Sequence, residues 1–451
     1  MAMTRIRSAL VLLAIVAVSP VWSATYYVRT DGGSSDQCNG TADTAYPGSG
    51  AGLACAWAHP FWALNSAGAW RIVGGDNLVI GSGSYRMGYG APNSGWCEVD
   101  AAWDCHLPPL PSGPDAGNPT RLVGVGWNGQ CRNPPELWGT ERTNHVVDLN
   151  GTSNALVACL ELTDHSGCAE FHPHAATACQ REDYPYGDWA ASGLAASDSA
   201  HVALSDLNIH GLAFHGIYAG RLADWTVRKV RLAGNAWVGW EGDIDGDDSN
   251  SGTLRFQHWT VEWNGCPETW PGGAPDHCWE QESGGYGDGV GTGATGGHWI
   301  IEDSAFRYNT SDGLDLLYVG RAGSGSQVEV RRSVAVGNLG NQIKVGGPAI
   351  IEHCLMVSNC GWLYGQPFAQ EVADYCRAAG GNTLALNVQR GNRSTVVNNT
   401  IVGEGDVLVE AECDVDSSVC DGSEEVTLLN NIFVGYAEYD PGGSEDWTNL
   451  Q

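Results

Sequence analysis

From about residue 200 onward this chain repeats one short phrase: alternating apolar residues, a polar pair, more apolar residues and a Gly/Asn turn. The phrases are VALSDLNI, WTVRKVRL, LRFQHWTV, WIIEDSAF, VEVRRSVA, AIIEHCLM, TVVNNTIV and VTLLNNIF. Aligning them puts Leu207, Val230, Trp259, Ser304, Ser333, Cys354, Thr400 and Asn431 in one column, at spacings between 21 and 46 residues. Alternation with period two means strand, and recurrence in the twenties means a solenoid. Strands this short cannot bury a core alone, but coils stacked in parallel about 4.8 Å apart bury a continuous one. The expected fold is therefore all-β, a right-handed parallel β-helix. Coils of two to three strands alternate with coils carrying long, disulfide-stapled loops.

The upstream chain fits the same plan. TYYVRTDGG and then GDNLVIGSGSYR, from Gly75 to Arg86, resemble the N-terminal coils of secreted β-helix proteins. Residues 25–451 are expected to form a single β-helix domain: N-terminal coils with long loops over 25–195, then regular coils over 196–436. The tail after Tyr436 carries no obvious cap for the last open strand edge, which such a fold requires. Either that tail is the cap or the chain is incomplete.

Residues 1–24 read as an export signal, with Arg5 and Arg7, an apolar run from Ala9 to Val18, and the small residues Ser23 and Ala24 at its end. The run is about half the ~20 residues a membrane span needs, and no later segment qualifies. A secreted, extracellular or periplasmic protein starting near Thr25 is expected, as a monomer.

Fifteen cysteines suit an oxidising compartment. Six sequence-local pairs read as staples across loops: Cys38 with Cys55, Cys97 with Cys105, Cys168 with Cys179, Cys266 with Cys278, Cys360 with Cys376, and Cys413 with Cys420. Cys131 and Cys159 make a seventh, leaving Cys354 unpaired in an apolar strand. His165, Cys168, His172, His174 and Cys179 could instead hold a metal, but their spacing matches no familiar zinc pattern.

The formal charge of −30 makes nucleic acid a poor partner, because a polyanion is bound by clustered cations. Lysine occurs only twice, as Lys229 and Lys344. In a solenoid, residues at the same offset in successive coils become neighbours. With Ser304 and Ser333 equivalent, Asp315 and Lys344 both sit eleven residues further on and should lie side by side. The phrases GYGDGVGTG, SDGLDLLYVG and GNQIKVGGP then give one column of Asp288, Asp312 and Asn341 and another of Gly291, Asp315 and Lys344. Three carboxylates in contact repel unless neutralised, and a hard divalent cation with oxygen ligands answers that need; outside the cell Ca2+ is available. A lysine facing a bound cation should have a lowered pKa, as a general base requires. The bland reading is a solvated acidic face with a salt bridge from Lys344 to Asp315.

These residues carry a resemblance. YGDGVG, NTSDGLDLLYVG and GNQIKVGG, with intervals of 24, 3 and 29 residues between Asp288, Asp312, Asp315 and Lys344, resemble the calcium and base motifs of the family 9 polysaccharide lyases, which are parallel β-helix pectate lyases. The match covers about sixty residues. It implies that Asp288, Asp312 and Asp315 are calcium ligands and that Lys344 removes the C5 proton of a uronate. Gly287 and Ser311 stand where the family's pattern has Asn and Asp ligands.

The expected function is a calcium-dependent polysaccharide lyase that cleaves an acidic polysaccharide such as pectate by β-elimination. Asn341 and Arg321 would contact substrate, and Arg321, Arg331 and Arg332 would form a local cationic patch against the overall negative charge. The alternatives are a uronate C5-epimerase, a glycoside hydrolase using two carboxylates, and a non-catalytic glycan-binding or structural β-helix. A second acidic run, Asp243, Asp245, Asp247, Asp248 and Asn250, reads either as a structural calcium loop or as a plain acidic loop; it fails the EF-hand pattern. Among the tryptophans, Trp237, Trp240, Trp263, Trp270, Trp279 and Trp362 invite a sugar-stacking role, but packing is the default.

Overall fold

Among the described residues of a computed structural model, twenty-nine strands join into one hydrogen-bonded system in which every strand pairing is parallel. The structure describes residues 23–97, 105–170, 189–242, 249–268, 287–321, 325–370, 381–403, 407–413 and 420–435, with scattered residues between these spans. Each regular coil contributes one strand to each of three sheets. Sheet I holds Val290–Gly291, Leu314–Leu316, Ile343–Gly346, Leu384–Val388 and Val407–Cys413; sheet II holds His298–Glu302, Gln327–Arg331, Ala349–Glu352 and Arg393–Val397; sheet III holds Ala305–Arg307, Val334–Val336, Leu355–Val357 and Thr400–Gly403. This is the parallel β-helix that the repeat predicts.

Alternation decides which side chains enter the core. In sheet I, Leu314, Leu316, Ile343, Val345 and Leu384 point inward and are fully buried, so Asp315 and Lys344 between them face outward. Aromatic rings fill the middle of the solenoid: Phe256 stacks between Trp259 and Trp299, and Trp240 meets Phe256 and Trp259 edge-on. Trp240 is therefore core, while Trp263 and Trp362 pack around the loop closed by Cys266–Cys278. Trp270 alone of the six is strongly exposed, with one face stacked on His165.

The turn between sheets II and III explains the polar pair of the repeat. Its first residue is left-handed in coil after coil, at Asp206, Lys229, His258, Asp303, Arg332, His353, Asn398 and Asn430, with φ between 48° and 57°. Six of the eight are Asp, Asn or His, the non-glycine types that enter this region most readily; at Lys229 and Arg332 the stacked neighbours must compensate a conformation that costs roughly 1–2 kcal/mol per residue. The second residue of the pair points inward and forms the column read from the sequence, with one correction. Leu355 pairs with Thr400, so Cys354 is level with Asn399, not with Thr400. Asn399 wins the place because it can be satisfied there: its Oδ1 accepts from Cys354 N at 2.8 Å and its Nδ2 donates to Ile351 O at 2.9 Å. A threonine has no side chain that reaches both.

A second turn carries a buried amide ladder. Asn235, Asn264 and Asn309 each donate through Nδ2 to the amide of the next coil, and Asn338 closes the ladder on Gln342 Oε1 four residues on, at 2.8–2.9 Å per step. Each acceptor oxygen from Asn309 on also takes the backbone N–H of the asparagine that donates to it. Such a ladder works only with amides, which both donate and accept.

Six disulfides occur among the described residues: Cys38–Cys55, Cys97–Cys105, Cys131–Cys159, Cys168–Cys179, Cys266–Cys278 and Cys413–Cys420. Cys354 is free and buried. The expected partner of Cys360 is outside the described residues, as are His174, Asp243, Asp245, Asp247, Asp248, residues 1–22 and most of the tail after Gly435. Asn250 is described and is structural, accepting from Leu222 N at 2.7 Å and donating to Thr295 Oγ1 at 2.8 Å. No helix among the described residues is long and apolar enough to cross a membrane.

Candidate metal and lysine site

Sheet I brings the acidic phrases together. Gly291 pairs with Asp315, and Asp315 with Lys344, so that column stands as read from the spacing. One turn earlier in each coil, Asp288 Oδ1 accepts from Asp312 N at 2.9 Å, Asp312 Oδ1 accepts from Asn341 N at 2.6 Å and Nδ2 at 2.8 Å, and Asn341 Oδ1 accepts from Asn382 N at 3.0 Å. This second column is built like the amide ladder, except that its first two members are carboxylates. An asparagine at either place would make the same bonds to the backbone and carry no buried charge.

Lys344 Nζ lies 3.2 Å from Asp312 Oδ2 and 3.2 Å from Asp315 Oδ2. Asp288 and Asp312 are almost wholly buried, whereas Asp315 and Lys344 keep 15% and 19% of their side chains exposed. Three carboxylates and one amine leave a local charge of about −2, and the protein feels it. Burial, then the charges of Asp312 and Asp315, push Asp288 well above the ordinary carboxylate range. Burial also lifts Asp312 to about 6, although Lys344 and the amide of Asn341 hold it down.

Without a bound cation, the carboxylates hold the lysine in its charged form. Burial lowers its affinity for a proton, but Asp312, Asp315 and Asp288 outweigh burial, and its pKa is raised above the ordinary value.

The donor set fits a hard divalent cation. One oxygen from each of Asp288, Asp312 and Asp315 lies within 4.8 Å of the others, a span that Ca–O bonds of 2.3–2.6 Å can bridge. Gly291 leaves space beside them, since a Cβ there would stand 3.0 Å from Asp288 Oδ2. The departure at Gly287 has its own cause: its φ is +77°, and a Cβ would meet Thr310 Oγ1 at 2.2 Å, so no asparagine side chain can be placed there. Ser311, the other departure, hydrogen-bonds the Asp288 carboxylate.

A groove of about 250 Å³ opens beside the lysine. Leu317, Lys344, Asn382, Asn387, Glu410 and Glu412 are among the residues that line it, and Asn341 contributes as well. Asn382, Asn387 and the two glutamates escape the sequence reading. Asn382 holds the place in its coil that Asn341 and Asp312 hold in theirs, three residues before Ala385, which pairs with Lys344.

The other expected contacts are placed less favourably. Arg321, in the turn leaving Leu314–Leu316, has its guanidinium 4.1 Å from the ring centre of Tyr318. Arg331 and Arg332 do not join it. Arg331 pairs with Glu329 and Glu352, and Arg332 with Asp303 and Glu302, at the end of a sheet II strand. The metal reading of His165, Cys168 and Cys179 also fails. The cysteines are bridged, His165 bonds Glu136 at 2.7 Å, and His172 bonds the carbonyl of His277.

No protein-family model and no curated protein matches the chain. Among solved structures it is similar to a mannuronan C-5 epimerase A-module from Azotobacter vinelandii, at 12% identity over 79% of this chain and 86% of that one, with a TM-score of 0.38. A pectate lyase gives 13% identity over 90% and 80%, TM-score 0.40, and a rhamnogalacturonan lyase 10% over 91% and 87%, TM-score 0.41. Likenesses this weak do not say which residues act.

Proposed function

We propose that this protein is an exported polysaccharide lyase that cleaves a uronate polymer by β-elimination, with Lys344 as the base and Asp288, Asp312 and Asp315 as the seat of a calcium ion. The observation that carries the reading is Lys344. One of two lysines in the chain, it stands at the wall of a groove with its amine against two of three clustered carboxylates. The six disulfides agree with export into an oxidising compartment.

A proton alpha to a carboxylate is weakly acidic, so its removal needs both positive charge near the carboxylate oxygens and a base at the carbon. Calcium, when bound, supplies that positive charge and neutralises the aspartates that otherwise hold Lys344 protonated. Burial then acts on the amine alone and favours its neutral form. Neutral Lys344 takes the C5 proton, the electron pair forms the C4–C5 double bond, and the sugar linked at C4 leaves with a proton from solvent. Asn341, Asn382 and Asn387 offer hydrogen bonds to hydroxyls along the groove.

A hydrolase is the weaker reading. Its two carboxyl groups stand about 5 to 9.5 Å apart with access to the sugar, whereas Asp312 is 1% exposed and two of its neighbours lie within 4.8 Å. The test is near-ultraviolet absorbance on pectate, alginate and other polyuronates, with and without chelator, for wild type and Lys344→Ala. A chelator-sensitive rise lost in the variant is expected. Epimerised polymer with no unsaturated ends would assign the same proton abstraction to an epimerase, and no change on any polyuronate would leave only a binding protein.

A further inference from the structure

A second group of ligating side chains lies on the same sheet, far from Lys344. Among the described residues Thr143–Asp148 is the first strand of sheet I, and there it pairs on one side only, with the strand that begins at Ala190. Its other edge is covered by the segment that follows the Cys97–Cys105 bridge, with Cys105 N bonded to Arg142 O and Leu110 N to Asp148 O. That segment lays His106 over His145, ring centres 4.0 Å apart, beside Asp148. From Asp148 the column runs through Ala195, Tyr218, Glu241 and Gly291 to Asp315, five strand spacings or roughly 24 Å.

We propose that His106, His145 and Asp148 bind a zinc-type divalent ion with one position left open. One ligand atom from each lies within 4.8 Å of the others. His145 is 93% buried by its 7% exposure, yet its Nε2 makes no hydrogen bond among the described residues. Asp148 Oδ2 stands 3.3 Å away but off the line a hydrogen bond needs. That separation is the edge of a tetrahedron whose bonds are about 2.0–2.1 Å long, as for zinc with nitrogen and carboxylate ligands. His106 is oriented for the same task, since Nδ1 bonds the Leu107 carbonyl at 2.9 Å and leaves Nε2 as the free lone pair. Asp148 Oδ1 accepts from Asn150 N, which fixes the carboxylate and leaves Oδ2 for the ion. Two imidazoles and a carboxylate select zinc, copper or nickel over calcium, so this site and the three-aspartate site differ in the metal they prefer. Bound there, the ion clamps the covering segment onto the open edge of the first strand.

The test is zinc content after dialysis, together with zinc titration by calorimetry, on the full chain. One zinc per chain is expected, retained by Asp312→Asn, with affinity falling at least 100-fold in His106→Ala. Cobalt substituted at the site should show the intense visible absorption of a tetrahedral ion. His106 is only partly buried, so its variant keeps the fold, as circular dichroism will verify, even if His145→Gln does not. Zinc binding unchanged in His106→Ala, or no stoichiometric zinc in wild type, overturns the assignment.

Discussion

Asp315 and Lys344 occupy paired positions on adjacent coils, twenty-nine residues apart in the chain and 3.2 Å apart at their charged ends. In a solenoid such a pair is set by the length of one coil, so the contact is a property of the repeat. The same coil length sets Asp312 against Asn341, which buries a carboxylate where an amide would suffice. The chemistry of the site follows from that second column: it contains more negative charge than its neighbours can neutralise.

Replacing Lys344 by Ala should lower lyase activity by about 100- to 10,000-fold, the usual contribution of a positioned base. Lys344→Arg should not restore it, because an arginine does not give up its proton. Single-turnover rates on a polyuronate, with calcium saturating, check both. Activity within tenfold of wild type in either variant removes Lys344 from the mechanism.

Asp288→Asn should make the calcium-free protein more stable while weakening calcium binding. The carboxyl of Asp288 is pushed well above its ordinary value, so it costs stability progressively as pH rises from about 4 through that raised value. Asparagine keeps the bond to Asp312 N and removes the charge. Melting temperatures in chelator at about pH 4 and 8 should converge at the lower pH and favour the variant at the higher. A variant less stable at both would show that the acid column is not under electrostatic strain.

Activity should climb toward alkaline pH, because only the neutral amine accepts a proton. The carboxylates raise the pKa of Lys344 in the ion-free site, so chelation should shift the ascending limb upward as well as lower its height. A profile of kcat/KM over about pH 6 to 10 at graded calcium reads both effects. A bell centred near pH 5 contradicts a lysine base.

Much of this was legible because a solenoid converts sequence spacing into distance. The pair Asp315–Lys344 needed only the offset from Ser304 and Ser333, and Gly291–Asp315 only the alignment of GYGDGVGTG with SDGLDLLYVG. The error at Thr400 arose where the phrase holds two consecutive asparagines. Spacing alone does not say that Asn398 takes the left-handed turn and Asn399 the inward place. Asn382 and Glu410 lie beyond the long insertion after Val357, where coil length no longer predicts register. His106 was illegible for a different reason: it belongs to no repeat, and a loop carries it onto the strand edge near His145.

His210 should make the fold sensitive to alkali at a second place. Burial opposes its protonation, but Glu161 at 2.9 Å and Glu268 at 2.7 Å overcome this and raise its pKa to about 9. The folded value exceeds the unfolded one of about 6.5, so the stabilisation is complete below about pH 6.5 and is lost as pH rises through about 9. His210→Gln should lose stability against wild type at pH 6 and little at pH 10, measured by chemical denaturation.

The amide ladder gives the most direct test of the register. Asn309 accepts from Asn264 N at 3.1 Å and Nδ2 at 2.9 Å, and donates to Asn338 Oδ1 at 2.8 Å. All three residues are fully buried or nearly so. Asn309→Ala strands two donors on Asn264, and at about 1–3 kcal/mol per unsatisfied buried group the loss should be roughly 2–6 kcal/mol. Asn309→Asp keeps the acceptor for Asn264 but loses the donor to Asn338 and adds a charge without the neighbouring carboxylates that would hold a cation. It should be destabilised at neutral pH and recover toward wild type in acid, with no response to calcium. Equal stability of both variants and wild type in urea would mean that the coils are not stacked in this register.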